Sequence, residues 1–243
     1  RAHADARAIE IEALELDRGG RPVLCGLTLA VGPGEVYALL GANGAGKSTT
    51  LAALLGFLAP RAGRLAVCGR SPQAEPDAVR RQVAYLPENV ALYEHLSAIE
   101  NVRYFLDLAG ERRAAAEIDA ALAEARLAPD AARRRVATYS KGMRQKTGIA
   151  LALLRRAPVL LLDEPTTGLD PGATREFHRL LDALRARGVA ILMVTHDLLG
   201  ATGLADRIGL LSGGRLIEEW TARAGADRFD LAALHRGFSG SAA

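Results

Sequence analysis

The sequence predicts an α/β fold with a parallel central sheet, an N-terminal antiparallel β subdomain and an inserted α-helical subdomain. Short apolar runs bounded by turn residues, typical of strands buried on both faces, alternate with stretches of helical spacing. A block rich in Ala, Leu, Glu and Arg interrupts this alternation in the middle third of the chain. With 243 residues, 49% hydrophobic and 24% charged, the chain can bury the core of a single domain spanning 1–243.

The N-terminal part, at about 9–86, contains strand-like stretches that end in turn residues. These stretches are 9–16, 23–31, 36–40 and 64–67. The third of them is a continuous apolar run ending at Gly41, as expected of a strand in the centre of a sheet. A helix should follow it over 47–55.

The helical block predicts a lobe at about 89–155. Ser97 and Glu100 predict a capping box at the start of its first helix, and Gly110 is expected to end that helix. A second helix is predicted over 111–127 and is expected to be cut off by Pro129.

The alternation of strand and helix returns in the second half of the core, at about 156–218. The predicted elements are strands at 159–163 and 189–195, a helix at 171–187 and a terminal hairpin formed by 208–211 and 215–217. The tail at 219–243 is weakly patterned.

Composition and charge exclude several classes of protein. The net charge is only +3, the basic residues are scattered and aromatic residues make up 5%, which argues against nucleic-acid binding. The Arg run at 133–135 is interpreted as a solvated loop or helix end. Cys25 and Cys68 lie in apolar stretches and are predicted to be buried, reduced thiols. Since no apolar run reaches the ~20 residues of a membrane helix, a membrane role would need another chain to supply the span.

Residues 41–48 read Gly-Ala-Asn-Gly-Ala-Gly-Lys-Ser and fit the pattern G-x-x-x-x-G-K-[ST]. Glycines let the backbone curl so that its N–H groups point at phosphate oxygens, and the following helix presents its positive N-terminus to the same anion. Lys47 adds charge at the β- and γ-phosphates, and the Ser48 hydroxyl suits Mg²⁺. The flanking strand and helix favour this phosphate loop, and hence a P-loop NTPase core, over a simple glycine-rich turn. The residues expected to contact the nucleotide here are Asn43, Gly44, Ala45, Gly46, Lys47, Ser48 and Thr49.

A pair of acids, Asp163 and Glu164, directly follows the apolar run at 159–162. Ligands bind at the carboxyl ends of strands in a parallel sheet, so these acids are expected beside the phosphate loop. Asp163 can hold the Mg²⁺ shell, and Glu164 can orient or deprotonate the attacking water. The alternative is that both acids cap a helix before Pro165; the neighbouring phosphate loop favours the catalytic interpretation.

The complete set of motifs resembles that of an ABC ATPase in order and spacing, over about 9–218. The further matching segments are Tyr139-Ser140-Lys141-Gly142-Met143, Gly168-Leu169-Asp170 and Thr195-His196-Asp197. By this resemblance, Asp170 is the loop acid that crosses to the partner subunit. His196 is similarly expected to be the switch histidine that contacts the γ-phosphate.

The segment at 139–143 resembles the signature of this family, usually L-S-G-G-Q, which opens a helix and meets the γ-phosphate bound by the opposite subunit. Ser140 and Gly142 are kept for that contact. Lys141 replaces a glycine, and Met143 replaces the glutamine. Ser140 can also be read as a helix N-cap, and both interpretations can hold at once.

Two positions depart from the family pattern. Glu88 stands where the family usually has Gln, and an ionised glutamate only accepts hydrogen bonds. By resemblance Glu88 is still expected at the catalytic site and in the Mg²⁺ shell, reached through water. Arg18 stands where family members carry an adenine-stacking aromatic, and its guanidinium plane can stack on a base with little base selectivity.

The resemblance implies an ATPase subunit that dimerises, with itself or a paired ATPase, around two Mg²⁺-ATP and drives a separate transmembrane permease subunit. Such a protein is expected in the cytoplasm, held at the inner face of the cell membrane by its partner. The alternatives are a non-transport ABC ATPase and a regulatory nucleotide-binding protein. Segments 86–93 and 168–174 also resemble the ATPase of export-type systems that support copper-site maturation of nitrous oxide reductase.

Overall fold

The computed structural model describes residues 7–225 and 228–240. Its strands are β1 (Ile9–Arg18), β2 (Arg21–Val31), β3 (Val36–Leu40), β4 (Ala62–Val67), β5 (Val83–Leu86), β6 (Val159–Asp163), β7 (Ala190–Thr195), β8 (Arg207–Ser212) and β9 (Arg215–Thr221). Its α-helices are α1 (Lys47–Leu54), α2 (Pro76–Gln82), α3 (Ala98–Leu108), α4 (Ala115–Glu124), α5 (Pro129–Ala132), α6 (Lys141–Arg155), α7 (Pro171–Ala186), α8 (Leu198–Thr202) and α9 (Leu231–Gly240).

The described strands form two sheets. The larger has the order β5-β6-β7-β3-β8-β9, and its pairs are parallel apart from the terminal hairpin of β8 and β9. The smaller has the order β2-β1-β4 and is antiparallel. This arrangement confirms the predicted α/β fold with its parallel central sheet and N-terminal antiparallel subdomain.

The central sheet is the middle of three layers because its strands are apolar on both faces. Along β3, Ala38 and Leu40 pack into one core with α3, α4, α6 and α7. Tyr37 and Leu39 point the opposite way, into a second core with α1 and the small sheet. The continuous apolar run at 36–40 is therefore explained by burial from both sides.

The helical lobe begins as predicted and then differs. The Ser97 side chain accepts from the Glu100 backbone N–H, and Glu100 accepts from that of Ser97, which confirms the capping box. The second helix is shorter than the predicted 111–127, because it starts only at Ala115 and ends at Glu124. Pro129 does not terminate it but begins α5, since a proline in the first helical turn lacks only an N–H that would have no helical partner. The boundaries proposed for the lobe and the core segments stay a prediction.

Several of the described elements were not expected from the sequence, among them the short helices α5 and α8. The short strand β5 forms an edge of the central sheet, with α2 directly before it, and α9 lies in the tail.

The two cysteines are less buried than predicted. Cys25 and Cys68 are free but half-buried, because β2 is an edge strand and Cys68 lies just beyond the end of β4. Within the described ranges, no helix has the length and apolar character needed to cross a bilayer.

Candidate functional site

A cleft of about 420 Å³ opens beside the first residues of α1 and the end of β6. It is lined by Arg18, Val23, Ala42, Asn43, Gly44, Gly46, Lys47, Ser48, Thr49, Glu88, Asp163 and Glu164. The parallel order of the sheet explains this assembly, because β3 and β6 run in the same direction and their carboxyl ends share one edge.

The phosphate loop connects β3 to α1 through two glycines in the left-handed region. Gly44 has φ 84° and Gly46 has φ 111°, and a Cβ at Gly46 would lie 2.7 Å from Leu24 Cδ2. A side chain at position 46 would therefore distort the turn that exposes the loop N–H groups. The buried Lys47 folds back within the loop, where its Nζ donates to the carbonyl oxygens of Gly41 (2.6 Å) and Ala42 (3.2 Å).

Asp163, the last residue of β6, lies next to the start of α1. Ser48 Oγ donates to Asp163 Oδ1 over 3.4 Å, and the Tyr85 hydroxyl lies 3.5 Å from Oδ2. Burial raises the pKa of Asp163, and the charges of Glu164 and Glu88 act in the same direction. Burial and the nearby Asp163 also raise the pKa of Tyr85 to about 12. Asp163 and Ser48 thus present hard oxygen ligands side by side.

Glu164 follows the strand with φ 45°, in the left-handed region that costs a non-glycine residue roughly 1–3 kcal/mol. This backbone turns its carboxylate inward. Oε2 lies 2.9 Å from His196 Nδ1 and accepts from Thr195 Oγ1 (3.0 Å) and the His196 backbone N–H (3.2 Å). Oε1 lies 3.5 Å from Lys47 Nζ. Burial acts to raise the pKa of Glu164, but the hydrogen bonds from His196 and Thr195 outweigh it and the pKa is lowered.

The arrangement suits a carboxylate that stays ionised while it faces a polyanionic ligand. Glu164 is held on one side by Thr195 and His196, at the end of β7, and on the other by Lys47. A group in that position can accept a proton from a water molecule placed between it and a phosphate. The cleft therefore combines a phosphate cradle, a pair of oxygen ligands for a cation and a positioned base.

Comparison with known proteins identifies the family. The model of the ABC transporter family matches residues 24–167, which is more than half of the chain. A daunorubicin resistance ATP-binding protein of Streptomyces coeruleorubidus is 39% identical over 242 residues, covering 97% of this chain and 76% of the relative. The chain belongs to the ABC transporter family, as an ATP-binding subunit.

Two further comparisons support this assignment. A Nod factor export ATP-binding protein of Paraburkholderia xenovorans is 39% identical over 216 residues, covering 87% of this chain and 70% of the relative. The dimeric structure of a bacterial ABC transporter cassette superposes with a TM-score of 0.78 at 26% identity, covering 89% of this chain and 100% of the cassette. The predicted ABC ATPase subunit of a transport system, and its fold, are confirmed.

Other residues predicted for the site of this ABC ATPase do not line the cleft. Ser140 and Asp170 are the N-caps of α6 and α7: Ser140 Oγ accepts from the Met143 N–H, and Asp170 Oδ1 accepts from the N–H groups of Gly172 and Ala173. The helix-cap interpretation of Ser140 is therefore correct. Gly142, within α6, faces the loop before α7, since a Cβ there would lie 3.5 Å from Leu169 Cδ2.

Among the phosphate-loop residues, Ala45 is the one predicted contact that does not line the cleft. It packs instead against the second core. Arg18, at the end of β1, and Glu88, two residues beyond β5, both line the cleft as expected. His196 contacts Glu164 through Nδ1; its side chain is about half exposed and does not line the cleft.

Sequence reasoning missed several residues of the site. Val23 and Ala42 line the cleft, Thr195 orients Glu164, and Tyr85 contacts Asp163. Thr195 could have been found, because it directly precedes His196 at the polar end of an apolar strand. Ala42 lies within the phosphate loop itself, whereas Val23 and Tyr85 reach the site because β2 and β5 fold against it.

Proposed function

We propose that this ABC ATPase binds Mg²⁺-ATP in the cleft and hydrolyses it within a head-to-tail pair that drives a separate transmembrane partner. The observation that carries the proposal is the contact of Lys47 with Glu164, which brings phosphate loop and base into one cleft. The protein then works at the inner face of the cell membrane, where its partner holds it.

The residues next to the loop fit a magnesium ion. Ser48 Oγ and Asp163 Oδ1 lie 3.4 Å apart, and hydroxyl and carboxylate oxygens are the hard ligands that Mg²⁺ takes together with phosphate. Glu88 lines the same cleft and would join this shell through water. When bound, the ion neutralises charge on the β- and γ-phosphates.

Hydrolysis is assigned to Glu164, supported by its neighbours. Thr195 and His196 hold Oε2, so the other oxygen faces the cleft, where a water in line with the γ-phosphate would donate its proton. When a nucleotide binds, Lys47 Nζ exchanges its hydrogen bonds to the carbonyl oxygens of Gly41 and Ala42 for contacts with the phosphates. The loop N–H groups donate to the phosphate oxygens. His196 keeps the carboxylate oriented and adds a contact to the γ-phosphate.

The pairing of two copies is supported by the residues that stay outside the cleft. Ser140 and Gly142 lie at the N-terminus of α6, where the positive helix end favours an anion, and Asp170 caps α7. They do not line the cleft of their own chain, so a nucleotide held by a second copy is the ligand that they would serve. The dimeric state of the bacterial cassette supports the same arrangement.

A groove on the other side of β5 is proposed to receive the membrane partner. We define this docking groove by its apolar and aromatic side, Phe57, Tyr85, Phe105 and Leu108. The cavity of about 590 Å³ is lined on its charged side by Asp77, Arg80, Arg81 and Arg155. Phe57 and Leu108 are 65% and 71% exposed, and exposed apolar patches of this kind mark interaction sites. Tyr93 extends the groove, because its ring stacks on Phe105 with centroids 6.1 Å apart.

The apolar residues that follow Glu88 have two roles in the structure. Val90 and Leu92 pack partly against the main core, so they cover the helical lobe. Tyr93 is 43% exposed and remains available to the partner. We therefore place the docking contact on Tyr93 and the docking groove, and not on the whole run.

An export role is proposed over import. The relatives named for daunorubicin resistance and Nod factor export support it. The more specific resemblance to copper-site maturation systems stays a prediction. A regulatory nucleotide-binding protein is less favoured, because His196 orients Glu164 as a positioned base. A non-transport ABC ATPase is less favoured, because the relatives compared above are named for drug resistance and export.

The nucleotide proposal is tested with Lys47→Ala. Loss of a buried charged partner of the phosphates should weaken ATP binding by roughly 2–5 kcal/mol and abolish hydrolysis. Isothermal calorimetry on the full chain measures the affinity. An unchanged affinity would show that the nucleotide does not bind at this loop.

The docking proposal is tested with Tyr93→Asp, which should prevent co-purification with the membrane partner and spare basal ATPase activity. The matched control is Ile217→Asp, which puts the same charge on a side chain of similar exposure, 47%, on β9. Recovery of the same partner chains from membranes with Tyr93→Asp as with the control would place the docking surface elsewhere.

A further inference from the structure

Lys141 begins α6, and its side chain reaches the segment that follows β5 in its own chain. Its Nζ lies 3.8 Å from Glu88 Oε1. Its stem passes close to the loop before α7, since a Cβ at Gly168 would lie 3.7 Å from Lys141 Cδ. The ion pair therefore connects the segment after β5 with the first residue of α6, at the edge of the cleft.

The charges on the cleft wall explain why this contact matters. Three carboxylates line the cleft: those of Glu88, Asp163 and Glu164. Glu164 has Lys47 beside it at 3.5 Å, and Asp163 has the hydroxyl of Ser48. Glu88 has Lys141, a cation that reaches it from outside the cleft.

A nucleoside triphosphate is a polyanion, and a carboxylate without a counter-charge in the same cleft opposes its binding. We propose that Lys141 is a positioning residue for Glu88: it holds this carboxylate at the cleft edge and offsets its charge, so that ATP binds beside three acids. This inference rests on the proposed placement of ATP in the cleft.

The expected effect is modest because the pair is partly exposed. The side chains of Lys141 and Glu88 are 28% and 45% exposed, and ion pairs of this kind contribute little in water. Lys141→Met should weaken ATP binding about threefold. Since the effect acts through charge, it should shrink as salt rises from about 0.05 M to about 0.5 M.

The experiment titrates the full chain with a fluorescent ATP analogue in excess EDTA, so that no metal ion compensates for the missing charge. It compares Lys141→Met and Lys141→Arg in the natural background, and Lys141→Met in a Glu88→Gln background. The matched control is Lys146→Met, because Lys146 is on the same helix and pairs with Glu176 at 2.7 Å, outside the cleft.

The proposal is supported if Lys141→Met weakens ATP binding while Lys141→Arg keeps the natural affinity. The loss of affinity must also disappear in the Glu88→Gln background, and Lys146→Met must have no effect. An equal loss in the Glu88→Gln background would overturn it, because Lys141 would then act independently of Glu88. No loss in either background would also overturn it. Lys47→Ala separates the two proposals: if that variant still binds the analogue tightly, the placement of ATP is wrong, and not only the role of Lys141.

Discussion

Replacing Glu164 with Gln removes one negative charge from the cleft while keeping the size of the side chain. In the structure, Oε2 is surrounded by His196 Nδ1 and the donors of Thr195 and the His196 backbone, at 2.9–3.2 Å. The carboxamide oxygen can take this place. Its NH₂ group would then face Lys47 Nζ, which lies 3.5 Å from Oε1, and two donors do not attract each other.

The variant should therefore fold and bind ATP but lack the base. General-base catalysis contributes about 10²–10⁴-fold to a rate, so hydrolysis should slow by that factor, equivalent to roughly 3–5 kcal/mol in the activation free energy. Lys47 is released from its contact with the carboxylate and stays available to the phosphates. ATP affinity should thus be unchanged or higher, and an ATP-bound dimer should accumulate.

Single-turnover hydrolysis measures the chemical step, and a sizing column in the presence of ATP detects the dimer. Glu176→Gln is the matched control, because it removes a carboxylate that also pairs with a lysine, Lys146, but lies outside the cleft. The control should turn over ATP normally. Near-normal turnover by the Glu164→Gln protein would refute the catalytic role of Glu164.

Two further substitutions test base contact in the cleft and the anchoring of the loop before α3. Arg18→Ala should weaken the binding of ATP and GTP alike, by roughly two- to fivefold, because stacking of an exposed guanidinium contributes about 0.5–1 kcal/mol without selecting a base. Competition between the two nucleotides measures this effect. A strong adenine preference in the variant would show that another group recognises the base. Asn101→Leu should lower the free energy of unfolding by about 1–3 kcal/mol, since the buried amide accepts from the Tyr93 N–H and donates to the carbonyl oxygens of Tyr93 and Ser97. Urea titration measures that loss, and an unchanged midpoint and slope would mean that the loop before α3 is held by other contacts.

The contiguous motifs could be read from the sequence because their chemistry is local. Residues 41–48 contain both the turn glycines and the phosphate-binding lysine, and the apolar runs before Gly41 and Glu164 mark the strands that end there. The capping box of Ser97 and Glu100 is also local, since both partners lie within one helical turn. Such signals depend on neighbours in the chain and so predict the fold class and the main catalytic residues.

The tertiary structure decided which distant groups meet. Thr195 reaches Glu164 because β6 and β7 are neighbours in the central sheet, and the sequence of either strand does not state that order. Lys141 meets Glu88 only because α6 begins beside the segment after β5. The position of each long-range partner is set by the packing of whole sheets and helices, which minimises exposed apolar surface over the entire chain and leaves no trace in a local pattern.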